Sequence, residues 1–147
     1  MAEIIPIGAD HAGFELKEKL VAELKQLGYA PEDIGTHSAE STDYAGYAHQ
    51  VADQVARGEV KRAVLLCGTG LGMAYAANRH HGVRAAVAWN SEIAHLAREH
   101  NDANVLVLPA RFLTAEEGVK ILKEWLATPF AGGRHQRRID KIETEST

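Results

Sequence analysis

The sequence has little of what marks secreted, membrane-spanning or nucleic-acid-binding proteins. Its 147 residues include one cysteine, Cys67, so no internal disulfide can form and a reducing cytoplasm is the expected compartment. The first residues lack a basic segment, and the first apolar run, residues 4–8, is too short for a signal peptide or a membrane span. The net charge of −4 comes without a long basic or acidic block. We therefore expect neither a membrane nor a nucleic acid as partner.

Metal-binding patterns are also missing from the sequence. No H-x-x-x-H or H-E-x-x-H pattern occurs, and a lone cysteine cannot build a cysteine-rich zinc site. We therefore expect no metal, and His37 and His95 are interpreted as surface or structural residues rather than ligands. There is no internal repeat, low-complexity tract or linker, so residues 1–147 are predicted to form a single domain.

Short apolar runs alternate with helical patterns along the whole chain. The predicted strands cover residues 4–8, 29–34, 63–67, 84–89 and 104–108. The predicted helices follow a Leu16-Leu20-Leu24-Leu27 pattern, an Asp43 cap, residues 73–79, a Ser91 cap and a Thr114–Glu117 capping box. This alternation predicts a three-layer αβα fold around a five-stranded parallel, doubly wound (Rossmann-like) sheet. The polar, basic segment from Gly132 is predicted to form a C-terminal helix that extends to a partner subunit, where it packs on that subunit or reaches into a site.

Ligands of such folds bind at the carboxyl ends of the strands, near the point where the strand order reverses. Three places in this sequence meet that rule. They are Asp10 and His11 after the first strand, residues 67–72 after the third strand, and Arg111 after the fifth strand.

The stretch CGTGLG, residues 67–72, carries the strongest chemical signal. Alternate glycines after a buried strand allow backbone N–H groups to turn toward an anion, and positive potential there favours a thiolate at Cys67. Met73 stands where a dinucleotide fingerprint needs Gly or Ala and where a cysteine phosphatase needs Arg, and no P-loop lysine follows. A thiolate beside an oxyanion-binding loop suits proton abstraction next to a carbonyl. The alternative is a tight turn behind an inert buried cysteine.

Two other groups of residues have a functional and a structural interpretation. Asp10 and His11 can exchange hydroxyl protons or contact a phosphate, but Asp is also a common helix cap. Arg134 and Arg138 lie one helical turn apart and can face one phosphate. A solvated basic face is the alternative for these two arginines.

Taken together, these stretches resemble the ribose-5-phosphate isomerase B family, whose relatives include galactose-6-phosphate and allose-6-phosphate isomerases. The matching stretches run in order through nearly the whole chain: GADHAGFELK (8–17), GTHSAESTDY (35–44), CGTGLG with AAN (67–72, 76–78), GVRAA (82–86), REHNDANVL (98–106) and GGRHQRRI (132–139). The resemblance implies an aldose–ketose isomerase that needs no metal or cofactor. It also implies homodimers, or pairs of dimers, with the active sites at the subunit interface.

The resemblance also implies a role for each matching residue. Cys67 would be the base that moves a proton between C2 and C1, Asp10 would handle hydroxyl protons, and His100 would assist ring opening. Thr69 and the backbone amides of residues 68–72 would hold the enediolate oxygens. The implied substrate-binding residues are His11, Tyr44, Gly68, Gly70, Leu71, Gly72, Asn101, Arg111, Arg134 and Arg138.

The order of the elements adds an expectation about assembly. His100 and Asn101 lie between a helix and the fifth strand, at the amino-terminal edge of the sheet, whereas Cys67 ends the third strand at the opposite edge. We therefore expect each active site to be shared between two chains.

The sequence departs from the family pattern at Ala45, at Pro109-Ala110 and at Trp89. These departures affect the expected sugar pocket and not the proposed base, so the resemblance predicts the type of reaction more firmly than the identity of the sugar. Ribose 5-phosphate is the expected substrate, and a six-carbon 6-phosphate (allose or galactose) is the nearest alternative. A phosphate-ligand sensor without turnover is a second class of function, and a purely structural oligomer is a third. A sensor has no need of a thiol at the first position of the loop.

Overall fold

The computed structural model describes residues 1–144 and contains one sheet of five parallel strands. The strands are β1 (Ile4–Ala9), β2 (Ala30–Gly35), β3 (Ala63–Cys67), β4 (Ala85–Val87) and β5 (Val105–Pro109), in the spatial order β2-β1-β3-β5-β4. The helices are α1 (Phe14–Gln26), α2 (Tyr44–Ala56), α3 (Leu71–Ala77), α4 (Ser91–Glu99), α5 (Ala115–Ala127) and α6 (Arg134–Thr144). Short 3₁₀ turns follow β1 at His11–Gly13 and β5 at Ala110–Phe112.

Helices cover both faces of the sheet, because the central strands are apolar on both sides. In β3, Val64 and Leu66 belong to a core cluster built with α1, α4 and α5. Leu65 and Cys67 belong to a second cluster built with α2 and α3. Alternate residues of a strand point to opposite faces, so a central strand between two helical layers must be apolar throughout. The predicted three-layer αβα fold with a Rossmann-like parallel sheet is confirmed.

The strand order reverses between β1 and β3. The chain passes from β1 through α1 to β2 on one side, whereas β3 leads through α3 toward the opposite edge of the sheet. The segments after these two neighbouring strands therefore diverge to opposite faces, which leaves a crevice at their carboxyl ends. The Asp10 N–H donates to Leu66 O at 3.3 Å and holds the two segments side by side.

The predicted N-terminal cap is correct for α5 and incorrect for α4. The Thr114 hydroxyl accepts from Glu117 N at 3.1 Å, and the Glu117 carboxylate accepts from Thr114 N at 2.8 Å, so the predicted capping box is confirmed. The predicted Ser91 cap is wrong. Asn90 has the extended N-cap conformation and its side chain accepts from Ile93 N at 2.9 Å, so Ser91 is already the first helical residue.

Helix α3 and strand β4 have bounds that differ from the predicted ones by up to two residues. Helix α3 begins at Leu71 rather than Met73, because Gly70, with φ of 79°, already occupies its N-cap position. Strand β4 is restricted to Ala85–Val87 because it lies at the edge of the sheet and pairs only with β5. On its other side, the Asn78 side chain bonds both the N–H and the C=O of Ala85, at 2.8 and 2.9 Å.

The basic C-terminal segment forms helix α6, whose two isoleucines have different environments. Ile139 is buried, at 4% exposure, whereas Ile142 is 62% exposed. The helix is as predicted, and its contact with a partner subunit stays a prediction. None of the helices in residues 1–144 is long and apolar enough to cross a membrane.

Candidate active site

The loop after β3 presents unpaired backbone donors next to the only cysteine. Cys67 is the last residue of β3 and is 4% exposed. Gly70 adopts a left-handed conformation that residues with a side chain rarely take, and this turns the chain into α3. The Thr69 hydroxyl accepts from Leu71 N at 3.2 Å. The N–H groups of residues 68–70 donate to no protein acceptor in the described part of the chain, so they are free to bind an anion.

Arg111 is brought to this loop from the end of β5. Its N–H donates to Gly68 O at 3.0 Å, and its guanidinium packs on the Gly68 backbone. A Cβ added at Gly68 would lie 3.0 Å from Arg111 Nε, so a larger residue there would push the guanidinium away from the loop. In the register of the sheet, Cys67 is opposite Pro109, two residues before the arginine. A cation from β5 therefore lies beside the free amides of the β3 loop.

Asp10 and His11 occupy the end of β1, the neighbouring strand. Asp10 is buried, and its Oδ1 accepts from Ala12 N at 3.0 Å and Gly13 N at 3.2 Å. The capping role considered for Asp10 is thus present, and Oδ2 has no protein partner among residues 1–144. His11 Nδ1 accepts from Thr42 N at 3.2 Å, which ties the loop before α2 to the same edge.

Tyr44 completes this group of residues. It is the first residue of α2 and is partly exposed. Its ring packs so closely on Gly72, the second residue of α3, that any side chain at position 72 would overlap it. The carboxyl edge of the sheet therefore brings together ten of the predicted site residues: Asp10, His11, Tyr44, Cys67, Gly68, Thr69, Gly70, Leu71, Gly72 and Arg111.

The other four predicted site residues lie elsewhere. His100 caps the C-terminus of α4 and Asn101 follows it, before β5 begins at Val105. Asn101 lines a cavity of about 410 Å³ together with Arg84 and Glu143. Since β3 and β5 run in parallel, this amino-terminal edge is separated from Cys67 by the length of the strands, about 13 Å.

Arg134 and Arg138 extend this second group. Both lie on α6, are exposed, and have no hydrogen-bond or ion-pair partner among residues 1–144. His135, between them, stacks on the His100 ring, with the centroids 4.5 Å apart and the planes 13° from parallel. Partial removal from water lowers the pKa of His135, and the neighbouring His100, Arg134 and Arg138 lower it further. Arg134 and Arg138 thus flank a histidine that stacks on His100 and that favours its neutral form.

Comparisons with known proteins identify the family. The model of the Ribose/Galactose Isomerase family matches residues 5–142. The chain belongs to this family. Ribose-5-phosphate isomerase B of Escherichia coli is 46% identical over 138 residues, which are 94% of this chain and 93% of that protein.

Solved structures agree with this assignment. A ribose 5-phosphate isomerase of Thermotoga maritima is 50% identical, with a TM-score of 0.93 over 97% of this chain and 99% of that one. Ribose-5-phosphate isomerase B of Mycoplasma genitalium, solved with bound ribulose 5-phosphate, is 41% identical, with a TM-score of 0.95 over 99% and 97%. The resemblance derived from the sequence and the predicted enzyme class, an aldose–ketose isomerase, are confirmed.

The sequence-based interpretation of this isomerase missed Glu99 and His135, which both contact His100. Glu99 Oε1 lies 3.3 Å from His100 Nε2, and the His135 ring covers one face of the imidazole. Both residues are part of stretches that carry the family resemblance, but position in a motif does not reveal which side chains meet. His95 lies between α4 and α5, with the Glu124 carboxylate at Nδ1 and the Glu99 carboxylate at Nε2. Within residues 1–144, no group of three or more His, Cys, Asp or Glu side chains is arranged to hold a metal ion.

Proposed function

We propose that this isomerase interconverts ribose 5-phosphate and ribulose 5-phosphate through an enediolate, with Cys67 as the base. The observation that carries the proposal is the placement of the Cys67 thiol at the head of a loop whose three amides, of residues 68–70, have no acceptor among residues 1–144. The names of its relatives support the choice of substrate, since the Escherichia coli protein is called ribose-5-phosphate isomerase B. The ribulose 5-phosphate bound to the Mycoplasma genitalium structure supports it as well.

Proton transfer between C2 and C1 needs a base and a way to stabilise the oxyanion that develops on the substrate. Cys67 removes the proton from C2 of the open-chain aldose and returns it to C1. The amides of residues 68–70 face the enediolate oxygens, and no acceptor within residues 1–144 competes for them. Such preorganised donors act when charge develops in the transition state, and losing one costs about 3 kcal/mol of barrier in other enzymes.

The hydroxyl protons at O1 and O2 have to change places as the carbonyl moves. Asp10 performs this transfer through Oδ2, since Oδ1 is held by two backbone amides. The Thr69 hydroxyl accepts from Leu71 N and can donate its own proton to an enediolate oxygen. Asp10 and Thr69 therefore complement the base with one acceptor and one donor for oxygen-bound protons.

The phosphate and the sugar ring are handled by residues of two chains. His11 and Arg111 bind the phosphate from the carboxyl edge of one subunit, and Tyr44 lines the sugar pocket. A second copy of the chain contributes His100 for ring opening, Asn101 beside it, and Arg134 and Arg138 on the phosphate. Two observations support sharing: these groups are separated within one chain, and neither arginine has a partner in the part of the chain that the structure describes. We expect a homodimer or a pair of dimers, in the cytoplasm, working without metal or cofactor.

The test compares ribose 5-phosphate turnover by the intact protein, Cys67→Ser and Cys67→Ala, with a chelator present throughout. Both substitutions suit the size of the buried site, and neither supplies a thiolate. We expect the rate to fall by at least about 100-fold in both variants, the scale of general acid–base catalysis. Circular dichroism and thermal melting provide the control for folding.

Each other outcome has a definite meaning. Unchanged turnover in both variants would keep the isomerase but reject Cys67 as its base. Turnover of allose or galactose 6-phosphate in place of ribose 5-phosphate would keep the reaction and change the sugar. Binding of sugar phosphates without any turnover would favour the sensor.

A further inference from the structure

The ring of His100 is fixed by two contacts within its own chain. Glu99 Oε1 lies 3.3 Å from Nε2 at the ring edge, and the His135 ring stacks on one face at 4.5 Å. Nδ1 has no protein partner in the part of the chain that the structure describes. We propose that Glu99 is the positioning residue for His100, holding Nε2 so that Nδ1 faces the sugar during ring opening. This inference rests on the proposed isomerase function.

Glu99 is suited to this task because its carboxylate is anchored at its other oxygen. Oε2 contacts His95 Nε2 at 3.0 Å, and His95 Nδ1 lies 3.1 Å from both Glu124 Oε2 and Thr128 Oγ1. Thr128 in turn donates to Glu124 O at 2.7 Å. The carboxylate that contacts His100 is therefore braced against the C-terminal end of α5, which packs on α4 in the core.

The backbone of Glu99 also fixes the segment that leads into α6. Ala131 N donates to Glu99 O at 2.9 Å, and the neighbouring Arg98 contacts Thr128 O through Nε at 3.4 Å. Helix α6 starts three residues after Ala131 and carries His135, the ring that stacks on His100. Glu99 thus contacts the His100 ring through its side chain and the segment before α6 through its backbone. These two contacts fix the position of the ring relative to the start of α6.

This arrangement matters for ring opening because the reaction moves a proton from the anomeric hydroxyl to the ring oxygen. A histidine performs this transfer only within hydrogen-bond reach of those atoms. In a shared site, His100 meets a substrate that is held mainly by another subunit, so its orientation has to be set beforehand by its own chain. A misplacement of about 1 Å can cost about 100-fold in rate.

The experiment compares Glu99→Ala and Glu99→Gln, with Glu92→Ala as the matched control. Glu92 lies on the same helix, at its exposed first turn, and loses the same charge without contacting His100. We expect Glu99→Ala to lower kcat for ribose 5-phosphate by about 10-fold or more, with KM changed by less than about threefold. Glu99→Gln restores most of the rate, because its side chain has the same length and its amide oxygen can face Nε2 in place of Oε1. Glu92→Ala keeps the activity of the intact protein.

A second measurement reports on the ring itself and does not depend on turnover. In two-dimensional proton–carbon NMR spectra, the His100 ring protons carry a ring-current shift from the stacked His135. We expect this shift to shrink in Glu99→Ala and to persist in Glu99→Gln and Glu92→Ala. An unchanged His100 spectrum or an unchanged kcat in Glu99→Ala would overturn the inference. If the intact protein isomerises no sugar phosphate while the His100 spectrum responds as expected, the proposed function fails and the contact between Glu99 and His100 stands without this role.

Discussion

Cys67 and His100 lie at opposite edges of the sheet within one chain. Cys67 pairs with Pro109, the last residue of β5, whereas His100 precedes Val105, the first residue of the same strand. The intervening strand spans about 13 Å. A base and a ring-opening acid have to reach the same small substrate. If both residues act as proposed, Cys67 of one copy and His100 of another must therefore meet in one active site.

This separation predicts complementation between two damaged chains. Cys67→Ala and His100→Ala are each expected to turn over ribose 5-phosphate poorly. After the two are unfolded together and refolded, half of the dimers contain both variants, and each such dimer has one site with Cys67 and His100 intact. We therefore expect about a quarter of the activity of the intact protein. Activity no greater than the sum of the separate variants would contradict sharing.

Removal of His100 should slow net isomerisation more than proton transfer at carbon. Ribulose 5-phosphate carries its phosphate on the one hydroxyl that could close a five-membered ring, so it enters the site open, whereas ribose 5-phosphate is mainly a closed ring. In D2O, we expect His100→Ala to lower the rate of conversion to ribose 5-phosphate by at least about 10-fold more than the rate of deuterium exchange at C1 of ribulose 5-phosphate. Cys67→Ala, measured in parallel, should lose both rates alike. Equal losses of the two rates in His100→Ala would argue against a role in ring opening.

The fold was predictable where local chemistry and burial agree. Residues 63–67 are buried throughout and apolar, so the central strand is evident from the sequence. Thr114 and Glu117 have the spacing of a capping box, and both bonds are present. The division of the candidate site into two groups also followed from chain order alone, because the end of a parallel strand fixes its edge of the sheet.

Contacts between distant segments could not be predicted from the sequence. The packing of Arg111 on Gly68 depends on how β3 and β5 align, and the link from His95 to Glu124 depends on how α4 packs on α5. Asn90 and Ser91 are both good cap residues, and only the backbone conformation distinguishes them. Glu99 was missed although its partners His95 and His100 are close in sequence, because spacing alone does not show which carboxylate oxygen meets which ring.

The contact between Tyr44 and Gly72 predicts a specific effect of adding one methyl group. A Cβ at position 72 overlaps the Tyr44 ring, so Gly72→Ala has to move the ring away from the sugar pocket. We expect kcat/KM for ribose 5-phosphate to fall by about 10-fold, mainly through KM, and stability to fall by about 1–3 kcal/mol.

Gly46→Ala provides the control for this experiment, because a Cβ at Gly46 of α2 meets nothing within 4 Å. That variant should keep its activity and gain about 0.5–1 kcal/mol of stability from the better helix propensity of alanine. In a Tyr44→Ala background, Gly72→Ala should cost less stability than it does in the intact protein. If the stability lost by the double variant equals the sum of the losses of the two single variants, the ring and the glycine do not interact.

His95 and its two carboxylate partners should make the stability of the protein depend on pH. The hydrogen bond that His95 donates to the Glu124 carboxylate, followed by the interaction with Glu99, raises the pKa of His95 above its ordinary value of 6.5. A pKa raised in the folded state stabilises the protein below the unfolded pKa, and this contribution is lost as the pH rises through the folded pKa. The pKa of Glu124 is lowered by His95, so this carboxylate stays ionised across the neutral range.

We therefore expect the melting temperature of the intact protein to exceed that of His95→Gln by the largest amount at about pH 5.5. This gap between the two melting temperatures should shrink toward about pH 8.5. The pKa of His135 is lowered, so its contribution changes with pH in the opposite direction. Because His135 is present in both proteins, its effect cancels in the gap between the two melting temperatures. A gap that stays constant or widens with rising pH would show that the carboxylates at His95 do not stabilise its charged form.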